Sequence, residues 1–239
     1  MHIYCIRHGE STNNCLEGDS QYHIKRSHDP QLTPRGAEQA RAAAYYLHGY
    51  IEEQHTTARP IIYSSYMTRA LQTAAALSER FSVPVQAWRD IHERGGCVAY
   101  SEQNGRYLAH PGTGRQALQE AYPMLQPDEH LNDTGWNRLR TPEGQRQCYL
   151  RARRVLRELT TRHSGEQRPI LLVSHRMFIG ALAAAVVGGS HSRFHRFGSH
   201  NTGITCLTAE QGEYFIEYQN RYEFLPSHLR VDIPYTIRA

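Results

Sequence analysis

In CIRHGEST, residues Cys5 to Thr12, an arginine and a histidine stand side by side at the end of an apolar run, only a few residues into the chain. Gly9 follows, which lets the backbone turn sharply and bring its N–H groups close to a ligand. Ser11 and Asn14 then add hydroxyl and amide donors. Such a loop, with a guanidinium beside an imidazole, suits a phosphoryl group. An imidazole that attacks phosphorus must be neutral at the attacking nitrogen, so its other nitrogen has to donate to an acceptor that fixes the tautomer. In-line transfer also needs cationic donors around the three equatorial oxygens.

Three more segments offer the missing groups. Arg69, in YSSYMTRALQTAAAL, falls one turn into an expected helix, whose N-terminus itself favours anions. His175 ends the apolar run ILLVSH, where burial without a partner would cost roughly 1–3 kcal/mol, so a polar neighbour is required. A departing oxygen needs a proton, and DIHERGG supplies Asp90 and Glu93; Glu93 is preferred because it stands where the strand region gives way to a glycine loop.

The elements that must position these groups read as α/β. Strands are expected at MHIYCI, RPIIYSS, VPVQAW and PILLVSH. Helices are expected from Pro34, with Thr33 as N-cap, over Met67–Arg80, Arg115–Ala121 and Thr141–Arg162, and in MFIGALAAAVVG. GITCLTA and GEYFIEYQN read as an antiparallel hairpin turning near Gly212. Strands alternating with helices predict a three-layer α/β/α arrangement, with a mostly parallel central sheet and an antiparallel edge. Ligands in such sheets sit at the carboxyl ends of the strands. Arg7-His8, Ser64-Ser65 before Arg69, and Ser174-His175 all occur where strands stop. The stretch from about 95 to 137 reads as an excursion over that face, and residues 1–239 as one domain.

Composition narrows the partners. The chain has 239 residues, 39% of them hydrophobic and 21% charged, which suits a globular protein. Its formal charge is +4 and Lys25 is its only lysine, but the arginines are interspersed with acids, which argues against nucleic acid. No apolar run approaches the roughly 20 residues of a membrane span, and the N-terminus lacks a secretory pattern, so neither a membrane nor export is expected and the cytoplasm is the default. The five cysteines are scattered without a C-x-x-C pair and are read as reduced thiols. A metal site at His191, His195 and His200 lacks the carboxylate that accompanies the histidine pair of a zinc hydrolase and has basic residues between its histidines, and His200 and Asn201 are instead expected to support the floor of the pocket.

With these residues in view, the sequence resembles the histidine phosphatase superfamily, in its phosphoglycerate-mutase-like branch. Five blocks match in order: RHGESTNN, HDPQLTPRGAEQA, YSSYMTRALQTA, HERGG and LLVSH. The resemblance implies that His8 becomes phosphohistidine, that Arg7, Arg69, His175 and Asn14 form the phosphate pocket, and that Glu93 is the proton donor that later activates water. It implies no metal or organic cofactor. Two departures stand out. Arg176 follows the second histidine where the family usually has glycine, and the 95–137 segment does not resemble that of glycolytic mutases.

The expected activity is therefore a phosphomonoesterase acting on a small phosphorylated metabolite of the sugar phosphate or phosphoglycerate type. The alternatives are a phosphoglycerate-type mutase and a non-catalytic phosphate-binding module. Ser11, Arg94 and Arg176 are added as substrate contacts, with Arg106 and Arg115 as further candidates. Either edge of the hairpin could pair in a homodimer.

Overall fold

The structure is a computed structural model, describing residues 1–55, 59–129 and 131–231. In chain order its strands and helices are β1 (His2–Arg7), α1 (Tyr22–Lys25), α2 (Pro34–His55), β2 (Ile61–Ser64), α3 (Thr68–Phe81), β3 (Val85–Ala87), β4 (Val98–Ser101), β5 (Arg106–Ala109), α4 (Arg115–Ala121), β6 (Leu125–Gln126), α5 (Gln145–Arg162), β7 (Ile170–Ser174), α6 (Arg176–Val186), β8 (Ile204–Glu210) and β9 (Glu213–Arg221).

Seven strands form one sheet in the order β6-β3-β2-β7-β1-β8-β9. The pairings from β6 through β1 are parallel, and β8 and β9 close the other side as the antiparallel hairpin. The central strands are apolar on both faces because both faces are covered. Along β1, Tyr4 and Ile6 pack with α2 and α3 residues such as Leu47, Ala70 and Leu71, while Ile3 and Cys5 pack with α5 and α6 residues such as Val155, Phe178 and Leu182. The period-2 alternation of side chains therefore feeds two cores, and the result is the expected three-layer α/β/α fold.

The helix starts are set by local chemistry. Thr33 Oγ1 accepts the Gly36 N–H at 3.0 Å, the N-cap bond expected for α2. At α3 the cap is supplied from a distance, since the Asp29 carboxylate accepts the backbone N–H and the hydroxyl of Thr68 at 3.0 and 2.8 Å. α5 begins at Gln145 rather than at the expected Thr141, because the Gly144 N–H donates to Gln147 Oε1 and the preceding Glu143 is drawn inward to Arg151.

The 95–137 excursion holds more regular structure than its composition suggests. Besides α4, it forms the separate antiparallel pair β4-β5 and the short β6, which joins the main sheet beside β3. Trp136 is buried at its end, and the Asn137 side chain donates to the carbonyls of Cys97 and His110, tying the two ends of the excursion together.

Candidate active site

Register brings the marked residues to one end of the sheet. Arg7 pairs opposite Ser174 in the β1-β7 ladder and Ser64 opposite Val173 in the β2-β7 ladder, so His8, Ser65 and His175 leave three adjacent strands at the same level. All four principal side chains are buried, with Arg7 2%, His8 3%, Arg69 7% and His175 0% exposed.

His8 Nδ1 lies 2.7 Å from the Gly9 carbonyl oxygen. A carbonyl can only accept, so Nδ1 carries the proton and Nε2 keeps its lone pair. Arg69 Nε donates to that lone pair at 3.0 Å. Burial, together with the charges of Arg69 and Arg7, holds the His8 pKa well below the ordinary histidine value, so the ring is neutral near pH 7. The loop around it is pinned on each side: the Gly9 N–H donates to Thr73 Oγ1, and the Asn201 side chain donates to the His8 carbonyl.

The two arginines are held differently. Arg7 donates to the Ser199 carbonyl at 2.7 Å, so its guanidinium rests on the segment leading into β8. Burial lowers the Arg69 pKa, and the Asp29 and Glu93 carboxylates oppose that shift. Asp29 thus caps α3 and also faces the arginine that α3 delivers.

His175 is the N-cap residue of α6, its ring centroid 5.2 Å from that of His8. Its Nε2 is 2.7 Å from Ser65 Oγ. Burial and the charge of Arg69 drive its pKa well below the ordinary value as well. Glu93 stands across the mouth at the start of α6. Its carboxylate accepts the backbone N–H of Arg94 at 2.8 Å and that of Met177 at 3.4 Å.

The segment carrying Glu93 is itself clamped. Ser174 Oγ donates to the Ile91 carbonyl, and Arg151 Nη1 donates to the carbonyls of Asp90 and His92. Arg151 is buried and doubly bonded to Glu143. Asp90, the other acid weighed for proton transfer, is tied to Arg154 at 2.8 Å instead. A cleft of about 490 Å³ opens behind this segment, but its Arg89, Arg151 and Arg154 are matched by Asp90 and Glu143.

The remaining candidates divide. Asn14 joins the His8 loop, its carbonyl oxygen accepting from Ser11 and Asn201 while its amide donates to Glu17. Ser11 is buried in the same cluster. Arg176 is half-buried, and its charge and that of Arg7 act on His200, which places it near the mouth. Arg94 is exposed beside Glu93, and Arg106 is exposed on β5. Arg115 is turned away from any ligand role, because its guanidinium donates to the carbonyls of Leu131 and Asp128. His200 stacks on Tyr222 and bonds Asn220, and Asn201 reaches the pocket loop, as expected for its floor. Sequence reasoning marked Ser65 at its strand end but not its bond to His175, and it missed Thr73, Asp29 and Arg151 as supporting groups, since each is joined to the site by contacts far away in the chain. Ser65, Thr73 and Asp29 all fall inside matched blocks, whereas Arg151 carried no such hint.

The strand ends of one α/β sheet thus bring together a neutral imidazole, two guanidiniums and a second imidazole, a set whose chemistry suits an anionic ligand. The model for the histidine phosphatase superfamily (branch 1) matches residues 3–221, and the chain belongs to that superfamily. The human 6-phosphofructo-2-kinase/fructose-2,6-bisphosphatase 4 is 29% identical over 188 residues, covering 76% of this chain; the chain spans 32% of that relative's length. Among solved structures, an Entamoeba histolytica phosphoserine phosphatase complexed with phosphoserine superposes with a TM-score of 0.63 at 21% identity, covering 94% of this chain and 99% of its own. A mycobacterial glucosyl-3-phosphoglycerate phosphatase bound to VO3 gives 0.60 at 22% identity, covering 92% and 98%. At these identities the likeness is one of fold.

Proposed function

We propose that this protein is a metal-independent phosphomonoesterase that hydrolyses a small phosphorylated metabolite through a phosphohistidine at His8 Nε2. The observation that carries this reading is the orientation of the His8 ring, with its proton fixed on Nδ1 by Gly9 and its lone pair held against Arg69.

The Nε2 lone pair attacks phosphorus and forms the P–N bond as the ester P–O bond breaks, and the electron pair leaves with the ester oxygen. Glu93 gives that oxygen its proton. Arg7 and Arg69 take up the charge on the equatorial oxygens, with His175, Asn14 and Ser11 as neutral donors, and the two guanidiniums supply the neutralisation that a metal ion provides elsewhere. The Glu93 carboxylate then removes a proton from water, the water oxygen attacks phosphorus, and the P–N pair returns to Nε2. Arg94 and Arg176 line the entrance.

The family relationship and the phosphatases among its structural relatives support hydrolysis. The superfamily also includes mutases, and these differ in how long the phosphoenzyme survives water. The five free cysteines support placing this reaction in the reducing cytoplasm.

The test is a rapid-quench reaction with ³²P-labelled phosphoesters in the presence of EDTA. The expected result is an acid-labile, base-stable label on the wild-type protein that turns over to free phosphate and is missing from His8→Ala. Label on His8→Ala, or turnover abolished by EDTA, would refute the reading. A long-lived label released only onto a second sugar or glycerate would favour the mutase.

A further inference from the structure

Arg26 stands at the end of α1, in the loop between the His8 turn and α2. Its guanidinium carbon lies 5.5 Å from the ring centroid of Tyr22 and 5.4 Å from that of Tyr107, so the side chain is sandwiched between α1 and the β4-β5 hairpin. The wall continues with His23 against Tyr100, and Tyr100 against Tyr107. Its Nε is buried and makes no hydrogen bond, and among the described residues no carboxylate pairs with its charge. It nevertheless stands close enough to Arg69 for the two like charges to oppose each other, and its charge also reaches Cys97, just beyond the Glu93 loop.

This arrangement costs stability unless something offsets it. An arginine on a surface helix is normally free to swing away from a like charge, but here two aromatic faces hold it in place by cation–π contact. The side-chain entropy is thus already lost before a ligand arrives, which favours binding. Arg69 is committed to His8 and the transferred phosphoryl, so the uncompensated charge of Arg26 answers a different part of the ligand.

We infer that Arg26 is a specificity-determining residue that recognises a second anionic group, a carboxylate or a second phosphate, on the portion of the substrate that is not transferred. The inference rests on the phosphatase reading of the His8 site. It assigns to the β4-β5 hairpin, through Tyr107, the task of aiming this arginine. Neutral-tailed phosphoesters would find the same phosphoryl pocket but leave Arg26 unanswered.

Two ligand pairs isolate the group. 3-Phosphoglycerate and glycerol 3-phosphate differ only in having a carboxylate or a hydroxymethyl group, and fructose 2,6-bisphosphate and fructose 6-phosphate differ in the second phosphate. Calorimetric titration is done with His8→Ala, so that nothing is consumed, and with His8→Ala carrying Arg26→Met, which keeps the aliphatic stem between the two rings. In His8→Ala, at least one pair is expected to show an affinity ratio of tenfold or more in favour of the doubly anionic member, collapsing to near unity once Arg26 is replaced. The pair that shows it identifies the group. Arg41→Met, an exposed substitution on α2, is expected to leave the ratio intact, which separates local contact from net charge, and Arg26→Gln repeats the test should the methionine variant fold poorly.

A ratio that survives the loss of Arg26, or that falls equally with Arg41→Met, overturns the assignment, as does the lack of any preference before Arg26 is replaced. Failure of all four ligands and of inorganic phosphate to bind would overturn the phosphatase reading itself.

Discussion

His175 Nε2 and Ser65 Oγ lie 2.7 Å apart, and their bond leaves His175 Nδ1 buried without a partner. Burying an unsatisfied donor or acceptor costs about 1–3 kcal/mol. If the Ser65 hydroxyl donates to Nε2, Nδ1 carries the ring proton and is ready to donate to a phosphoryl oxygen. Ser65→Ala is expected to release that tautomer and raise KM for a phosphoester by about tenfold, about 1.4 kcal/mol of lost binding, with a smaller change in kcat. Steady-state kinetics together with an NMR titration of the histidine ring nitrogens would check this. An unchanged KM with His175 in an unchanged tautomer would count against the role.

Glu93 is held by the backbone N–H groups of Arg94 and Met177, at the mouth of the pocket. If it protonates the departing oxygen, its value depends on how poor the leaving group is. Glu93→Gln is expected to slow phosphorylation of His8 by an alkyl phosphate about 10²- to 10⁴-fold. Phosphorylation by p-nitrophenyl phosphate, whose phenolate leaves unaided, should change far less. Because the same carboxylate activates water in the second step, the variant should release nitrophenol in a burst and then stall. Equal slowing of phosphorylation by the two substrates in single-turnover kinetics would remove Glu93 from this role.

The parts of this fold that were legible in the sequence are those whose signal is local. Ile170–Ser174 and His2–Arg7 are apolar runs ending in polar residues, and Arg115–Ala121 and the Thr33-Pro34 start of α2 carry helix signals; the structure places each where the sequence does. The β4-β5 hairpin was not legible, because VAYS and RYLA do not alternate apolar with polar residues: exposed and half-buried positions alternate along RYLA, but Leu108 takes an exposed one. The principal site residues His8, Arg69 and His175 could be picked out because each stands at a strand or helix terminus. Arg26 could not, since HIKRS reads as a short basic surface turn and its meaning comes from Tyr107, a residue on another element. Arg151 was hidden for the same reason: within the arginine-rich LRARRVLREL nothing marks which guanidinium turns inward.

The His8 loop and the first turn of α2 touch backbone to backbone. A Cβ on Gly9 would lie 2.4 Å from the Gly36 carbonyl oxygen, and one on Gly36 would meet the Glu10 carbonyl oxygen. Neither partner is a flexible side chain, so the loop itself must move. Gly36→Ala lies outside the pocket, yet it is expected to destabilise the protein by about 1–3 kcal/mol and to lower kcat/KM through displacement of His8. Urea denaturation and single-substrate kinetics on the same preparation would test both effects. Full activity with full stability would show that the contact is not needed to set the loop.

Three buried histidines set the response to acid. Burial lowers the pKa of His8 and His175 well below the ordinary value and brings His92 to about 3, with Arg151 adding to the effect on His92. In the unfolded chain each would titrate near 6.5. As pH falls through that value the unfolded state takes up protons that the native state refuses, so the stability contributed by these sites is fully present above about pH 6.5 and is lost progressively below it, toward the folded values. Each proton is worth about 1.4 kcal/mol per pH unit, so between pH 6 and 5, before the carboxylates titrate heavily, stability should fall by up to about 4 kcal/mol. Urea midpoints measured at pH 7, 6 and 5 should therefore drop steeply across the last step. Saturating vanadate should raise the midpoint at pH 7, because an anion that binds only the folded site adds its binding free energy to stability. A midpoint that is flat or rises on acidification would mean that these rings are protonated in the native state, and a charged His8 could not be the nucleophile.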